Sequence, residues 1–196
     1  NKYMSSTNRS NARDSHIADY YKTPVKPIEE FLNEFTLQEN INKDIKILDC
    51  CAGGLVNKDK MSYPTALHNC GFINIDTIDI REDSLAEIKG DYLKMDCKGK
   101  YDMIITNPPF SIALDIINKA LDDVKDNGWV IMLLRLNFLG GKVRKEFWDN
   151  NMPKYIFMHS KRMSFIEGGG TDSIEYAHYC FKKDGKINEF SQIKVI

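Results

Sequence analysis

Features that mark several protein classes are missing from this sequence of 196 residues. No apolar run approaches the roughly 20 residues that cross a bilayer, and the polar start of the chain lacks a signal-peptide pattern. The five cysteines are an odd number with no C-x-x-C pair, which argues against a disulfide framework and a zinc site. We therefore expect free thiols, no metal ion, no membrane partner and a cytoplasmic location.

An overall basic surplus, which nucleic-acid-binding proteins often carry, is also missing. The net charge is −1, from 27 Lys and Arg against 28 Asp and Glu. The distribution is uneven, because the seven basic residues from Arg135 to Arg162 are opposed only by Glu146 and Asp149. A solvated helix face explains part of this local surplus, and a phosphate-contacting face is the functional interpretation.

What the sequence does contain is an alternation of apolar runs and amphipathic segments. Strands are predicted at 45–50, 73–80, 101–106, 129–134, 154–160 and 174–182, and helices begin near Pro24, Ser62, Ser111 and Gly141. The apolar runs mostly lack polar alternation, which is typical of a parallel sheet with helices on both faces. We predict an α/β fold with a seven-stranded, mostly parallel sheet and one antiparallel strand near the C-terminus. A flexible polar tail is expected at 1–15, followed by a single domain over 16–196.

Two predicted strands end in an aspartate, at Asp49 and Asp79. Ligands of open α/β sheets bind beyond the carboxyl ends of the strands, and the small residues Ala52 and Gly53 would let a ligand approach the backbone. The full G-x-G-x-x-G fingerprint is missing, so dinucleotide binding is not favoured. Asp79 is placed to bind the ribose hydroxyls of a nucleoside cofactor. A tight turn after Asp49 and a turn or helix-cap role for Asp79 are the simpler alternatives.

A further acidic position precedes the strand at 101–106. Asp91 is followed by Tyr92 and Leu93, and this short segment is placed to frame the adenine of such a cofactor. Asp96 is a competing candidate for the same role.

The sharpest signal is Asn107-Pro108-Pro109-Phe110, directly after the strand at 101–106. An Asn oxygen and a backbone carbonyl can both accept hydrogen bonds from the exocyclic amine of adenine, whose lone pair is otherwise conjugated with the ring. The prolines fix their φ angles and stiffen the turn, and an aromatic side chain can stack on a base swung out of its helix. The tetrapeptide therefore predicts methylation of that amine, and a plain strand-to-helix turn is the structural alternative.

Taken in order, LDCCAGG, TIDIRED, GDYL and YDMIITNPPF resemble the motifs of S-adenosylmethionine-dependent adenine-N6 DNA methyltransferases. The segment DYYKTP at 19–24 is similar to the N-terminal Tyr-x-Thr-Pro element of the same enzymes. The chain looks most like their small stand-alone members from phages and mobile elements, over roughly residues 16–183. The resemblance implies the Rossmann-like class I methyltransferase fold, base flipping and direct SN2 attack on the methyl group.

The resemblance also implies which residues serve the reaction. Catalysis and base binding would fall to Asn107, Pro108, Pro109 and Phe110. S-adenosylmethionine would be bound by Asn107 and a larger set, which is Tyr21, Thr23, Pro24, Asp49, Ala52, Gly53, Asp79, Ile80, Asp91, Tyr92 and Leu93. The loop DCCAGG departs from the Asp-Pro or Phe-x-Gly pattern of many relatives.

Nucleic acid, most of all DNA, is the expected partner. The residues expected to contact it are Arg135, Asn137, Lys142, Arg144, Lys145, Arg162 and Ser164, with the loop Gly168–Gly170 closing over the target. No separate target-recognition domain is predicted. Sequence specificity is therefore expected to be short, loose or absent, unless a homodimer or an accessory partner supplies it.

Several other functions remain open at this point. The same tetrapeptide suits an RNA base amine, on adenine or guanine, and the glutamine amide of a release factor. A non-catalytic subunit that binds nucleic acid through the same fold is a third alternative, and a nucleotide-binding oxidoreductase is a fourth. The sequence specifies neither the polymer, its strandedness nor its target.

Two kinds of chemically versatile residue are interpreted as packing residues. His159 and His178 lie in apolar strands and are expected in the core or at its rim rather than as bases. Trp129 and Trp148 are likewise expected to pack rather than to stack on bases.

Overall fold

A computed structural model describes residues 22–165 and 174–196. The predictions for the tail at 1–15, for Tyr21 and for the loop Gly168–Gly170 lie outside the described residues. The described ranges contain an eight-stranded sheet in the order β3-β2-β1-β4-β5-β7-β6-β8. Its strands are β1 Lys46–Asp49, β2 Asn74–Asp79, β3 Ile88–Lys89, β4 Met103–Thr106, β5 Trp129–Arg135, β6 Tyr155–Met158, β7 Tyr176–Lys182 and β8 Gln192–Val195.

Four α-helices in the described ranges cover this sheet: α1 Val25–Glu39, α2 Ser62–Asn69, α3 Ala113–Asp123 and α4 Lys145–Asn150. Successive strand residues point to opposite faces, so Ile47 joins one apolar core with α1 and α2 while Leu48 joins the other with α3 and α4. The prediction of helices on both faces is confirmed. None of the helices in the described ranges is long and apolar enough to cross a bilayer.

One strand runs against its neighbours. β7 pairs antiparallel with β5, from Trp129 opposite Lys182 to Arg135 opposite Tyr176, and antiparallel with β6 on its other side. The remaining pairs are parallel. The mostly parallel sheet with one antiparallel strand near the C-terminus is thus confirmed.

The sheet has eight strands rather than the predicted seven, and β3 and β8 lie outside the six segments that were predicted as strands from the sequence. The two residues of β3 and all four of β8 are exposed, so neither strand has the apolar face that marks a strand in a sequence. They form through backbone pairing, with Ile78 and Asp79 for β3 and with β6 for β8.

The order of the strands also locates the place where a ligand can bind. The chain proceeds from β1 to β2 and β3 on one side, then crosses to β4 and β5 on the other. The reversal falls between β1 and β4, and the crevice beyond their carboxyl ends is where open α/β sheets bind ligands.

Candidate active site

The loops that follow Asp49, Asp79 and Thr106 meet at the carboxyl edge of the sheet. The Thr106 hydroxyl donates to Asp49 Oδ1 at 2.6 Å, which joins the ends of β1 and β4. The Gly53 amide donates to Asp79 Oδ2 at 2.8 Å, which joins the loop after β1 to the end of β2. These two bonds hold the carboxyl ends of β1, β2 and β4 together at one edge of the sheet.

Asp49 carries a buried oxygen with no hydrogen-bond partner among the described residues. The side chain is fully buried, and Oδ1 accepts from Thr106 and, at 3.2 Å, from the Cys51 amide, whereas Oδ2 is the unpartnered atom. Burial raises the pKa of Asp49 to about 7, the nearby Asp79 adds to the rise, and the two hydrogen bonds oppose it. A cationic donor is the natural partner for such an oxygen.

The loop after β1 turns back on left-handed backbone. Gly53 and Gly54 have φ values of 70° and 75°, a region that favours glycine. A Cβ on Gly54 would lie 3.0 Å from Leu85 Cβ and from Met61 Cγ. The Ala52 amide donates to the Ile78 carbonyl at 2.9 Å, so the loop is held flat against the end of β2.

Arg81 is a further residue of the candidate site and was not among the residues predicted from the sequence. Its amide donates to Asp79 Oδ1 at 2.8 Å, and its guanidinium donates to the Gly54 carbonyl at 2.7 Å. It therefore ties the acid at the end of β2 to the glycine turn after β1. The signal was present in TIDIRED, where an arginine follows the acid by two residues.

The Asp91–Leu93 segment is a short turn that the buried Tyr92 side chain anchors to α3. Asp91 Oδ1 accepts from the Leu93 amide at 3.0 Å and caps the 3₁₀ turn Tyr92–Lys94. The Tyr92 side chain is buried and donates to Asp123 Oδ2 at 2.7 Å, so only its backbone can face a cofactor. Ile80 presents a half-exposed apolar surface after Asp79, and the competing Asp96 is exposed.

The Asn107 side chain is held by the N-terminal segment. Its amide nitrogen donates to Thr23 Oγ1 at 3.1 Å, and Ser62 at the start of α2 donates to the Thr23 carbonyl at 2.5 Å. Pro24 follows as the residue before α1, with an extended backbone. The structure thus brings Thr23, which the resemblance assigned to the cofactor, into contact with the proposed catalytic residue.

The rest of the tetrapeptide forms the passage from β4 to α3. Pro108 is buried and Pro109 is half-buried. Phe110 begins the 3₁₀ turn Phe110–Ile112 and is 51% exposed. The Arg135 guanidinium carbon lies 4.9 Å from the centroid of the Phe110 ring, and the edge of Phe138 supports the ring at 6.5 Å between centroids.

The cations expected to contact phosphate have different surroundings. Arg144 Nε donates to the Phe138 and Gly140 carbonyls, at 2.8 and 3.0 Å, and so closes the loop before α4. Lys145 pairs with Asp149 one helical turn away, and Arg162 pairs with Glu175 at 3.1 Å. Lys142 and Asn137 are exposed, and Ser164 is half-buried. Much of the local basic surplus is therefore engaged within the described protein.

The two histidines of the strand segments, His159 and His178, belong to a buried chain of hydrogen bonds. His178 Nε2 is 2.9 Å from the Tyr63 hydroxyl, and His178 Nδ1 is 2.7 Å from His159 Nε2. Burial lowers the pKa of His159 to about 4 and the pKa of His178 well below its usual value. Both are core residues, as expected, and Trp129 and Trp148 are buried as well.

Comparison with known proteins gives a relative over part of the chain. No family model matches. Ribosomal RNA small subunit methyltransferase C from Mannheimia succiniciproducens is 32% identical over 98 residues, which are 47% of this chain and 29% of that protein. The chain thus spans less than a third of the length of this relative.

Solved structures give matches over most of the described fold. A proposed class I S-adenosylmethionine-dependent methyltransferase from Listeria monocytogenes has a TM-score of 0.63 at 12% identity, over 90% of this chain and 66% of its own. A proposed RNA methyltransferase from Pyrococcus horikoshii scores 0.64 at 14% identity, over 85% of this chain and 89% of its own. The methyltransferase subunit of a type I restriction-modification system from Streptococcus thermophilus scores 0.64 at 13% identity, over 95% of this chain and 50% of its own.

These similarities show the fold but not the substrate, because the structural matches are only 12 to 14% identical. The partial relative is itself a methyltransferase. The chain has the class I methyltransferase fold, for which S-adenosylmethionine is the implied cofactor.

Proposed function

We propose that this protein transfers a methyl group from S-adenosylmethionine to the N6 amine of adenine in DNA. The observation that carries the proposal is the position of Asn107. It follows the central strand β4 beside an exposed aromatic residue, Phe110, and its amide nitrogen is occupied by Thr23 Oγ1 at 3.1 Å. This bond uses the donor side of the amide, so the acceptor oxygen is the side available to a target amine.

The residues at the carboxyl edge fit the implied cofactor. The unpartnered buried Asp49 Oδ2 suits the ammonium group of a methionine moiety. Asp79 closes β2 with both oxygens fixed by backbone amides, and each carboxylate oxygen keeps a lone pair for a ribose hydroxyl. The half-exposed Ile80 offers an apolar surface to a planar base. Asp91, Leu93 and the Tyr92 backbone would frame its edge.

Within this arrangement the protein's task is to prepare the amine. S-adenosylmethionine supplies, when bound, a methyl group on a positively charged sulfur. Asn107 Oδ1 and the Pro108 carbonyl accept hydrogen bonds from the two amine hydrogens, which draws the nitrogen toward tetrahedral geometry and frees its lone pair. The same two acceptors would hold the amine while it receives the methyl group, and its surplus proton would pass to water.

A base inside a duplex is out of reach of these acceptors, so the target nucleotide must be turned out of its stack or be single-stranded. Phe110 is the exposed aromatic ring next to Asn107 and would stack on the extruded base. The exposed Lys142 and Asn137 lie on the neighbouring loop and are the proposed backbone contacts. The Streptococcus neighbour belongs to a restriction-modification system, which supports DNA as the polymer.

The test uses labelled S-adenosylmethionine with double-stranded DNA, single-stranded DNA and structured RNA in parallel, followed by digestion and identification of the labelled nucleoside. N6-methyladenine from DNA is the expected product. Label found only in protein would move the function to a glutamine amide. Cofactor binding without turnover on any substrate would identify a non-catalytic subunit, and binding of a nicotinamide dinucleotide would point to an oxidoreductase.

RNA is the second candidate substrate, since the partial relative is a ribosomal RNA methyltransferase. The chemistry at Asn107 is the same, because guanine also carries a conjugated exocyclic amine. The same digestion separates the two: a methylated guanine or adenine recovered from RNA, with DNA unlabelled, would replace DNA as the substrate.

A further inference from the structure

Arg135 lies against the aromatic residue of the catalytic motif. It is the last residue of β5, and its carbonyl accepts from the Tyr179 hydroxyl at 3.0 Å, which fixes its backbone. Its guanidinium carbon is 4.9 Å from the centroid of the Phe110 ring. The side chain therefore reaches from the neighbouring strand and covers part of the ring surface that a target base would use.

The contacts of Arg135 differ from those of the other two arginines in this region. Arg162 pairs with Glu175, and Arg144 donates to two carbonyls. Within residues 22–165 and 174–196, no carboxylate lies within ion-pair distance of Arg135, and its Nε makes only a long contact of 3.4 Å with the Tyr176 hydroxyl. A guanidinium is planar and weakly hydrated, so it stacks well on aromatic rings and on bases.

We propose that Arg135 stacks on the target base and does not contact the phosphate backbone. The base would be held between its guanidinium and the Phe110 ring. This inference rests on the proposed function. A stacked base needs about 3.4 Å on each side. The distance between the Arg135 guanidinium carbon and the Phe110 ring centroid must therefore widen from 4.9 Å to about 7 Å. Rotation about the Arg135 side-chain bonds supplies this movement while β5 stays in place.

The proposal makes planarity, and not charge alone, the required property at position 135. Lysine keeps the charge but has a compact ammonium group that cannot cover a base, whereas a phosphate contact would tolerate lysine. The Arg135→Lys variant therefore separates the two roles. Arg135→Gln removes the charge and reports on any contribution to phosphate binding.

The experiment uses a single-stranded deoxyadenosine oligonucleotide with one central 2-aminopurine, whose fluorescence reports stacking, and measures binding across a salt series together with KM and kcat. Arg135→Lys is expected to lose most of the fluorescence change and to raise KM about ten-fold, the loss of one stacking contact, while the salt dependence is unchanged. Lys142→Gln is the comparator for a phosphate contact. Lys98→Gln, at the opposite end of the strands, is the surface control.

Wild-type behaviour of Arg135→Lys, combined with a salt slope reduced by about one unit in Arg135→Gln, would overturn the proposal in favour of a phosphate contact. A double-mutant cycle with Phe110→Leu gives a second measure, since residues that enclose the same base are non-additive. Additive effects would also overturn it.

The wild-type protein distinguishes this failure from a failure of the proposed function. Methyl transfer that is insensitive to Arg135→Lys overturns the stacking role alone. A fluorescence change that depends on Arg135 without methyl transfer overturns the function alone. Failure of the wild-type protein to bind the oligonucleotide or any other nucleic acid overturns both.

Discussion

The part of the site assigned to the cofactor and the part assigned to the target are built in different ways. On the cofactor side, the three acids accept hydrogen bonds from nearby backbone amides: Asp49 from Cys51, Asp79 from Gly53 and Arg81, and Asp91 from Leu93. On the target side, Arg135, Lys142 and Phe110 are long or exposed side chains that contact rings or solvent. A cofactor of constant shape suits a fixed backbone, whereas a polymer needs side chains that move.

Asn107 stands between the two parts and should show the largest effect. Asn107→Ala removes the acceptor for the target amine, and we expect kcat to fall at least about a hundred-fold, on the scale of one lost transition-state contact. Cofactor affinity, measured by calorimetry, should stay within a few-fold. The exposed Asn33→Ala on α1 is the matched control. Activity near the wild-type level in Asn107→Ala would refute the catalytic assignment.

A substitution at Asp79 tests whether the cofactor side alone determines the affinity for S-adenosylmethionine. Asp79→Asn keeps the shape of the side chain but weakens its charge-assisted hydrogen bond with Gly53 and, under the proposed function, those with the ribose of the cofactor. Calorimetry should show S-adenosylmethionine bound roughly 10- to 100-fold more weakly. Binding to the oligonucleotide should not change. An unchanged cofactor affinity would remove Asp79 from the binding site.

The raised pKa of Asp49 predicts a pH dependence for cofactor binding. Because its pKa is raised to about 7, the carboxylate that would receive the cofactor's ammonium is largely protonated at pH 6. We expect affinity to rise about ten-fold between pH 6 and pH 8. The ratio of wild-type to Asp49→Asn affinity at each pH isolates this carboxyl from the titration of the ligand. A ratio independent of pH would contradict the assignment.

The same titration has the opposite sign for the stability of the cofactor-free protein. The folded carboxyl holds a proton that the unfolded chain releases near pH 4. Its contribution to the free energy of unfolding is therefore present at low pH and lost as pH rises through about 7. Thermal unfolding of wild type and Asp49→Asn across this range measures the difference directly.

The smallest effect is expected at Lys142, on the exposed loop of the target half. Lys142→Gln should weaken DNA binding only a few-fold, reduce the salt slope by about 0.9, and leave cofactor affinity unchanged. Binding measured between low and moderate salt would show it. An unaltered slope would place the phosphate contacts elsewhere.

The sequence predicted well those features that depend on local chemistry. β5, with the run WVIMLLR, is buried over its first six residues, and the acids that end β1 and β2 could be located from strand ends alone. Features that depend on distant partners were harder to predict. A count of charge along the chain overlooks the pairing of Arg162 with Glu175, and no local pattern predicts that Arg135 lies on Phe110.

The position of β7 has a consequence for how the chain assembles. β6 precedes β7 in the chain, but β7 lies between β6 and β5 in the sheet. β6 is therefore joined to β5 and the strands beyond it only by pairing with β7. During synthesis, residues 155–158 therefore emerge before the strand at 176–182 that they must pair with. The strands β1, β2, β4 and β5 already pair with one another without it. The part of the sheet on the cofactor side can thus pair early, whereas β5 gains its second neighbour only when β7 pairs with it, through contacts between distant parts of the chain.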